Sequence, residues 1–255
     1  PLASGLLLMG SMGIQSAIRN SEFPKVAKAA QEAVKGRVPL FVGVMDNSVM
    51  RVKDRIDSLD GLAIDGVVAT TPFYSKCTDE EIISFFKGIA SASPFPVYLY
   101  DLPVVTKLKI TFEIVNEVSR CPNIVGIKTG DITLARRLKI EKPEFHVLFS
   151  TIDLFDIANA FGIGKVLDGM FSCTSRNTQK MSKCFEQGNF AEGGKYLNNI
   201  LDLRDIMVRY GVMPCFTAAM NLLGCEGNFA QDYSGKISES IQEIIKSKMV
   251  EIGEL

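Results

Sequence analysis

The chain holds a single histidine, His146, among its 255 residues. One imidazole cannot build a multi-histidine metal site, so no metal centre of that kind is expected. His146 falls at the start of an apolar run, which points to a structural role and away from a Ser-His-Asp triad. The six cysteines, Cys77, Cys121, Cys173, Cys184, Cys215 and Cys225, form no C-x-x-C pair and no cluster with metal-ligand spacing. Free thiols in a reducing cytoplasm are the simplest account. No apolar run approaches the roughly 20 residues needed to span a bilayer, and no signal peptide is recognisable. The chain therefore reads as soluble and cytoplasmic. Both G-x-x-x-x-G-K-[ST] and G-x-G-x-x-G are missing, so no nucleotide cofactor has support. Gly162-Ile163-Gly164 lacks the third glycine and precedes an apolar run, as a turn would. An excess of either charge is lacking too. Lys and Arg number 28 against 29 Asp and Glu, and they are spread along the chain, leaving no footprint for nucleic acid or an anionic membrane. The densest basic stretch, Arg136-Arg137-Leu138-Lys139, reads as a solvated helix face.

What remains is an ordinary globular composition, 47% apolar and 22% charged, in a chain long enough to bury a substantial core. Short apolar runs recur at 5–10, 38–45, 66–73, 96–102, 124–129, 146–151 and 165–173. They are rich in Val, Ile, Leu and Phe and do not alternate with polar residues, the pattern of parallel strands buried on both faces. Helical periodicity fills the gaps. Phe23, Val26, Ala27, Ala30, Ala33 and Val34 share a face, with Ser21 as the expected N-cap and Gly36 as the stop. Thr78-Asp79-Glu80-Glu81 is a capping box, and Thr111 starts a helix at Phe112. After Cys173 the pattern turns helical, over 177–187, 190–210, 214–223 and 237–250.

Strands returning every ~20–35 residues predict an α/β fold, either a (β/α)8 barrel or an open parallel sheet. Read as a barrel, the count is seven strands where eight are needed, and the shortfall lies at the beginning. The chain opens on Pro1 and enters a strand almost at once, so upstream residues are expected to be missing. The barrel would occupy 1–188 and a C-terminal helical region 189–255.

In either architecture functional residues gather at the C-terminal ends of strands. Those positions hold Gly10-Ser11-Met12-Gly13, Phe73-Tyr74, Tyr100-Asp101-Leu102-Pro103, Lys128-Thr129-Gly130, Ser150-Thr151 and Phe171-Ser172. Lys128 is the one lysine among them. Partial desolvation of an amine disfavours its ammonium form, the condition for attack on a carbonyl. A strand-end lysine can equally do no more than reach for water. Tyr100 shares a strand face with Tyr98, while Asp101 points the other way. A strand-end tyrosine is a candidate proton carrier, although core packing accounts for it as well.

Together these residues resemble the dihydrodipicolinate synthase and N-acetylneuraminate lyase family, from about Gly5 into the C-terminal region. The matching motifs are G-[ST]-T-G at Gly10–Gly13, Y-N-x-P at Tyr100–Pro103 and G-[IVF]-K at Gly126–Lys128. Thr71–Tyr74 and Asp168–Ser172 fall where the family has comparable segments. The resemblance implies a (β/α)8 barrel that forms a Schiff base with pyruvate or another 2-keto acid or sugar acid. Lys128 would be the nucleophile, and Tyr100 would shuttle protons. Ser11, Met12 and Gly10 would hold the carboxylate, with Phe171 also contacting substrate. The family needs no cofactor and is often tetrameric. It places a tyrosine like Tyr74 across a subunit interface, so a homodimer or homotetramer is implied. Met12 departs from the family's second hydroxyl residue, expected to link two tyrosines in a proton relay. Ile14 replaces the common Glu, and Asp101 the usual Asn. Val105 stands where synthases carry an arginine that grips a second carboxylate. Another lyase or dehydratase reaction of the family is therefore expected over the synthase reaction. The alternative is a non-catalytic barrel that binds a keto acid or regulates.

Overall fold

The computed structural model describes residues 3–255, so the expectation attached to Pro1 lies outside the described residues. The fold divides into two compact units, Ala3–Ser150 and Thr151–Leu255.

In the first unit β1 (Leu6–Leu8), β2 (Leu40–Gly43), β3 (Gly66–Thr70), β4 (Val97–Asp101), β5 (Ile124–Thr129) and β6 (His146–Phe149) form one sheet. Every pairing is parallel, and the strands lie in chain order from β1 to β6. Such an order needs a crossover after each strand, usually a helix. Between strands the chain forms α1 (Phe23–Val34), α2 (Val49–Asp57), α3 (Asp79–Ala92), α4 (Pro103–Thr106), α5 (Phe112–Val118) and α6 (Ile132–Glu141). Every residue of β3 and β4 is buried, as the unbroken apolar runs predicted.

The helix signals were largely sound. Thr78 and Glu81 make the reciprocal capping box at α3, and Thr111 caps α5 through the Ile114 amide. Ser21 does not cap α1. The N-cap position is Glu22, without a side-chain cap, and Ser21 reaches only the Glu22 carboxylate. Pro24 in the first turn makes the cap less necessary, because proline has no N–H to satisfy.

Residues paired across the sheet share a face. One such row is Val68, Tyr98, Gly126 and His146; the next toward the C-terminal ends is Thr70, Tyr100, Lys128 and Leu148. The lower row explains the glycine of the G-I-K motif. The Tyr98 ring lies between Gly66 and Gly126, where added Cβ atoms would stand 3.2 and 2.6 Å from it. Its hydroxyl is hydrogen-bonded to His146 Nδ1 at 2.7 Å, the structural role expected of the sole histidine. Burial, with the nearby Asp65 charge adding, pushes the Tyr98 phenol above its ordinary pKa.

The second unit is helical: α7 (Phe155–Ala160), α8 (Ser175–Glu186), α9 (Phe190–Tyr210), α10 (Val212–Leu222) and α11 (Glu239–Glu251). The four helices expected after Cys173 are all present. The seventh strand, expected over 165–173, does not form. Only Val166 makes a bridge, and Gly169–Ser172 is a 3-10 turn whose Met170 amide donates to the Asp168 carboxylate at 2.8 Å. An aspartate before a glycine offers the backbone this local bond in place of a ladder. The buried Glu254 carboxylate accepts from the Arg176 and Asn177 amides at 3.1 and 2.8 Å, a negative charge at the N-terminus of α8. α8 packs on α9, which is why residues 151–188 cluster with the C-terminal helices.

Candidate active site at the strand ends

Lys128 is 7% exposed, one residue before the end of β5. Its register partner on β4 is Tyr100, and its Nζ stands 3.9 Å from the centre of that ring. No hydrogen bond or ion pair engages Nζ among the described residues. An amine set over an aromatic face, without a carboxylate partner, is held in place yet left open to an incoming electrophile.

Tyr100 is buried, and its phenolic oxygen accepts a hydrogen bond from Ser11 Oγ at 3.2 Å. Ser11 belongs to the turn that follows β1. This turn is tight: a Cβ on Gly13 would sit 2.8 Å from Met9 Cα, so only glycine fits there. Met9 and Ile14, at either end, take the left-handed conformation. Among the described residues, Ser11, Met12 and Gly13 donate no backbone hydrogen bond, which leaves their amides for a ligand. The hydroxyl that meets Tyr100 is that of Ser11, and Met12 brings none.

Behind this pair, on the opposite strand face, Asp101 is paired in register with Thr129. Its carboxylate accepts from Thr129 Oγ1 at 2.8 Å, from the Ile110 amide at 3.0 Å and from Lys109 Nζ. Lys109 also reaches Asp131 at 3.1 Å. Burial would lower the Lys109 pKa, yet hydrogen bonds and charge from Asp101 and Asp131 outweigh it and raise it. Burial likewise opposes ionisation of Asp131, but the Leu134 and Thr133 amides and Lys109 hold its carboxyl below the usual range. Asp101 is thus a structural anchor that braces β4 against β5, one residue from each site side chain.

Tyr74 is apart from this cluster, 91% exposed, with no partner for its hydroxyl among the described residues. Its loop is held from β2's side, where Asn47 Oδ1 accepts from the Phe73 and Tyr74 amides at 2.8 and 3.0 Å. Asn47 follows Asp46, a buried carboxylate bonded to Arg51 at 2.7 Å and Arg55 at 3.0 Å. Burial pushes the Asp46 carboxyl up, but the Arg51 and Asn47 hydrogen bonds and both guanidinium charges leave it below its ordinary value.

Val104 and Val105, in α4 directly after Tyr100–Leu102, are exposed and offer no cation at that point. Phe171 belongs to the second unit, where its ring packs on Phe155 at 5.6 Å between centroids. The structure therefore joins Lys128, Tyr100 and Ser11, with Gly10 and Met12 in the adjoining turn. Two residues went unnoticed in the sequence: Asn47 and Thr70. Thr70 was the more findable, a hydroxyl closing the otherwise apolar run Gly66–Ala69. No group of three or more His, Cys, Asp or Glu side chains is placed to hold a metal among the described residues.

The dihydrodipicolinate synthetase family model matches residues 2–250. A curated 4-hydroxy-tetrahydrodipicolinate synthase from Acetivibrio thermocellus is 27% identical over 250 residues, covering 97% of this chain and 85% of that protein. The solved structure of YagE, a prophage protein from E. coli K12 belonging to the dihydrodipicolinic acid synthase family and in complex with pyruvate, superposes with a TM-score of 0.89. It is 20% identical, with 99% of this chain and 88% of that one covered. CdNal from Clostridium difficile, in complex with mannosamine, gives a TM-score of 0.91 at 18% identity, covering 98% and 87%. At these identities the two structures speak for the fold.

Proposed function

This chain belongs to the dihydrodipicolinate synthetase family, an enzyme family of class I aldolase-type lyases and synthases, and we propose that it forms a Schiff base between Lys128 and a 2-keto acid. The observation that carries the reading is the Lys128 amine itself, buried at a strand end, unpaired, and 3.9 Å over the ring of Tyr100. We read the sheet as part of a (β/α)8 barrel with its chemistry at the C-terminal strand ends, where such barrels keep their active sites.

In this reading the neutral amine of Lys128 attacks C2 of the keto acid. The carbonyl oxygen takes a proton to give a carbinolamine and then leaves as water, forming the imine. Tyr100 supplies and receives these protons, with Ser11 hydrogen-bonded to its oxygen. The imine is an electron sink that stabilises the carbanion made when a carbon–carbon bond breaks. The unbonded amides of Ser11, Met12 and Gly13 suit the substrate carboxylate. Exposed Val105 cannot grip a second carboxylate, which favours a lyase or dehydratase reaction over condensation with a dicarboxylic partner. The exposure of Tyr74 fits a surface covered by a second copy, and we take the protein as a homo-oligomer of a reducing, cytoplasmic setting.

The test is reductive trapping. The protein is incubated with pyruvate, reduced with borohydride, and the modified peptide located by mass spectrometry. The adduct is expected on Lys128, and Lys128→Ala should abolish it while unfolding at a similar temperature. Absence of an adduct with pyruvate and with a panel of other 2-keto acids would refute the proposal; full trapping by the alanine variant would refute the residue.

A further inference from the structure

The row that carries Lys128 and Tyr100 continues onto β3 with Thr70, the register partner of Tyr100. Thr70 therefore shares their face and flanks Tyr100 on the side opposite Lys128. It is 3% exposed, and its Oγ1 has no hydrogen-bond partner among the described residues. The next hydroxyl, Thr71 Oγ1, is likewise buried and unpartnered. Buried hydroxyls are nearly always bonded, because leaving one unsatisfied costs about 1–3 kcal/mol. Valine would fill the same β-branched space at no such cost. A hydroxyl kept here, next to Tyr100 in the row that carries the amine, points to a ligand atom that meets it.

We propose that Thr70 Oγ1 hydrogen-bonds a hydroxyl on the carbon chain of a hydroxylated 2-keto acid held at Lys128, and so selects that class over plain 2-keto acids. The inference rests on the Schiff-base reading given above. A three-carbon keto acid brings two polar groups. Its carbonyl oxygen is handled by Tyr100 with Ser11, and its carboxylate by the amides of residues 11–13. Both demands are met without Thr70. Its hydroxyl is an additional polar group in the same row, and it matches an additional oxygen on the substrate chain. No covalent step is assigned to it; the contact orients and selects.

The experiment compares two probes, pyruvate and 2-keto-3-deoxygluconate, in borohydride trapping rates for the wild type, Thr70→Val and Thr70→Ser. The valine variant is expected to lose about tenfold with the hydroxylated acid relative to pyruvate, the effect of one missing hydrogen bond at a desolvated site. The serine variant should stay within about threefold of wild type. The melting temperature of ligand-free Thr70→Val should be equal or higher, since an unsatisfied hydroxyl is removed. Equal effects on both acids, or none, would mean that only solvent meets the hydroxyl, and would overturn the proposal. A lowered melting temperature with an unchanged ratio would make Thr70 structural and would overturn it equally. If the wild type traps neither acid, the Lys128 reading fails on its own. Calorimetric titration with 2-keto-3-deoxygluconate then decides Thr70: binding weakened by valine and kept by serine retains the contact, and equal or absent binding removes it.

Discussion

Replacing Gly126 by alanine tests whether the glycine of the G-I-K motif serves packing. The new Cβ would stand 2.6 and 2.7 Å from Tyr98 Cε1 and Cδ1, and 2.7 Å from the His146 carbonyl oxygen, where ordinary contacts begin at 3.4 Å. The ring cannot easily withdraw. Its hydroxyl is tied to His146 Nδ1, and Phe41 meets it edge-on at 5.1 Å between centroids. Overpacking a filled core costs about 1–3 kcal/mol, and the backbone oxygen places this site at the upper end. For a chain of this size about 3 kcal/mol lowers the melting temperature by roughly 6–12 °C. Thermal and urea unfolding followed by circular dichroism would measure it. The double variant Gly126→Ala with Tyr98→Leu should be about 1–2 kcal/mol more stable than the sum of the single changes, because the leucine removes the ring that alanine strikes. A Gly126→Ala protein melting within about 2 °C of wild type, or strict additivity in the double variant, would show that the ring is not confined as described.

Asp101→Ala strands two buried donors, the Thr129 hydroxyl and the Ile110 amide, and should destabilise by about 2–4 kcal/mol in urea unfolding; a loss below about 1 kcal/mol would contradict the bracing role. Stability should also depend on pH in a defined way. Asp46 and Asp131 have folded pKa values below the ordinary 3.8, so their contribution is present above that value and is lost as pH falls through the lower folded values. Lys109 is raised above 10.5, so its contribution holds below 10.5 and is lost as pH rises through the folded value. Melting temperature should therefore fall below about pH 4 and above about pH 10.5, and a profile flat to pH 3 would oppose the ion-pair assignments.

Much of this was legible in the chain alone. Six apolar runs became six parallel strands, and in β3 and β4, buried throughout, the lack of polar alternation follows from cover on both faces. The capping box at Thr78 is a local device, readable without any tertiary partner. The expected seventh strand failed for an equally local reason, since Asp168 before Gly169 bonds the backbone into a turn. The Ser21 cap failed because the helix starts one residue later, with Pro24 reducing the need for a cap.

Lys128, Tyr100 and Ser11 could be placed at strand ends by sequence, since strand ends follow from the hydrophobic pattern. Only the folded chain decided what those side chains meet. Register between β3, β4 and β5 put Thr70, Tyr100 and Lys128 in one row, and residues 30 and 28 positions apart along the chain carry no pattern that reports such pairing. The same cause hid the partner of Gly126: a glycine's reason is the atom across from it, and that atom belongs to another strand. Tertiary structure likewise brought the Ser11 hydroxyl to Tyr100, 89 positions away along the chain, because the tight turn after β1 aims the oxygen. Periodicity sets which elements form; the distances that make a site come from their packing.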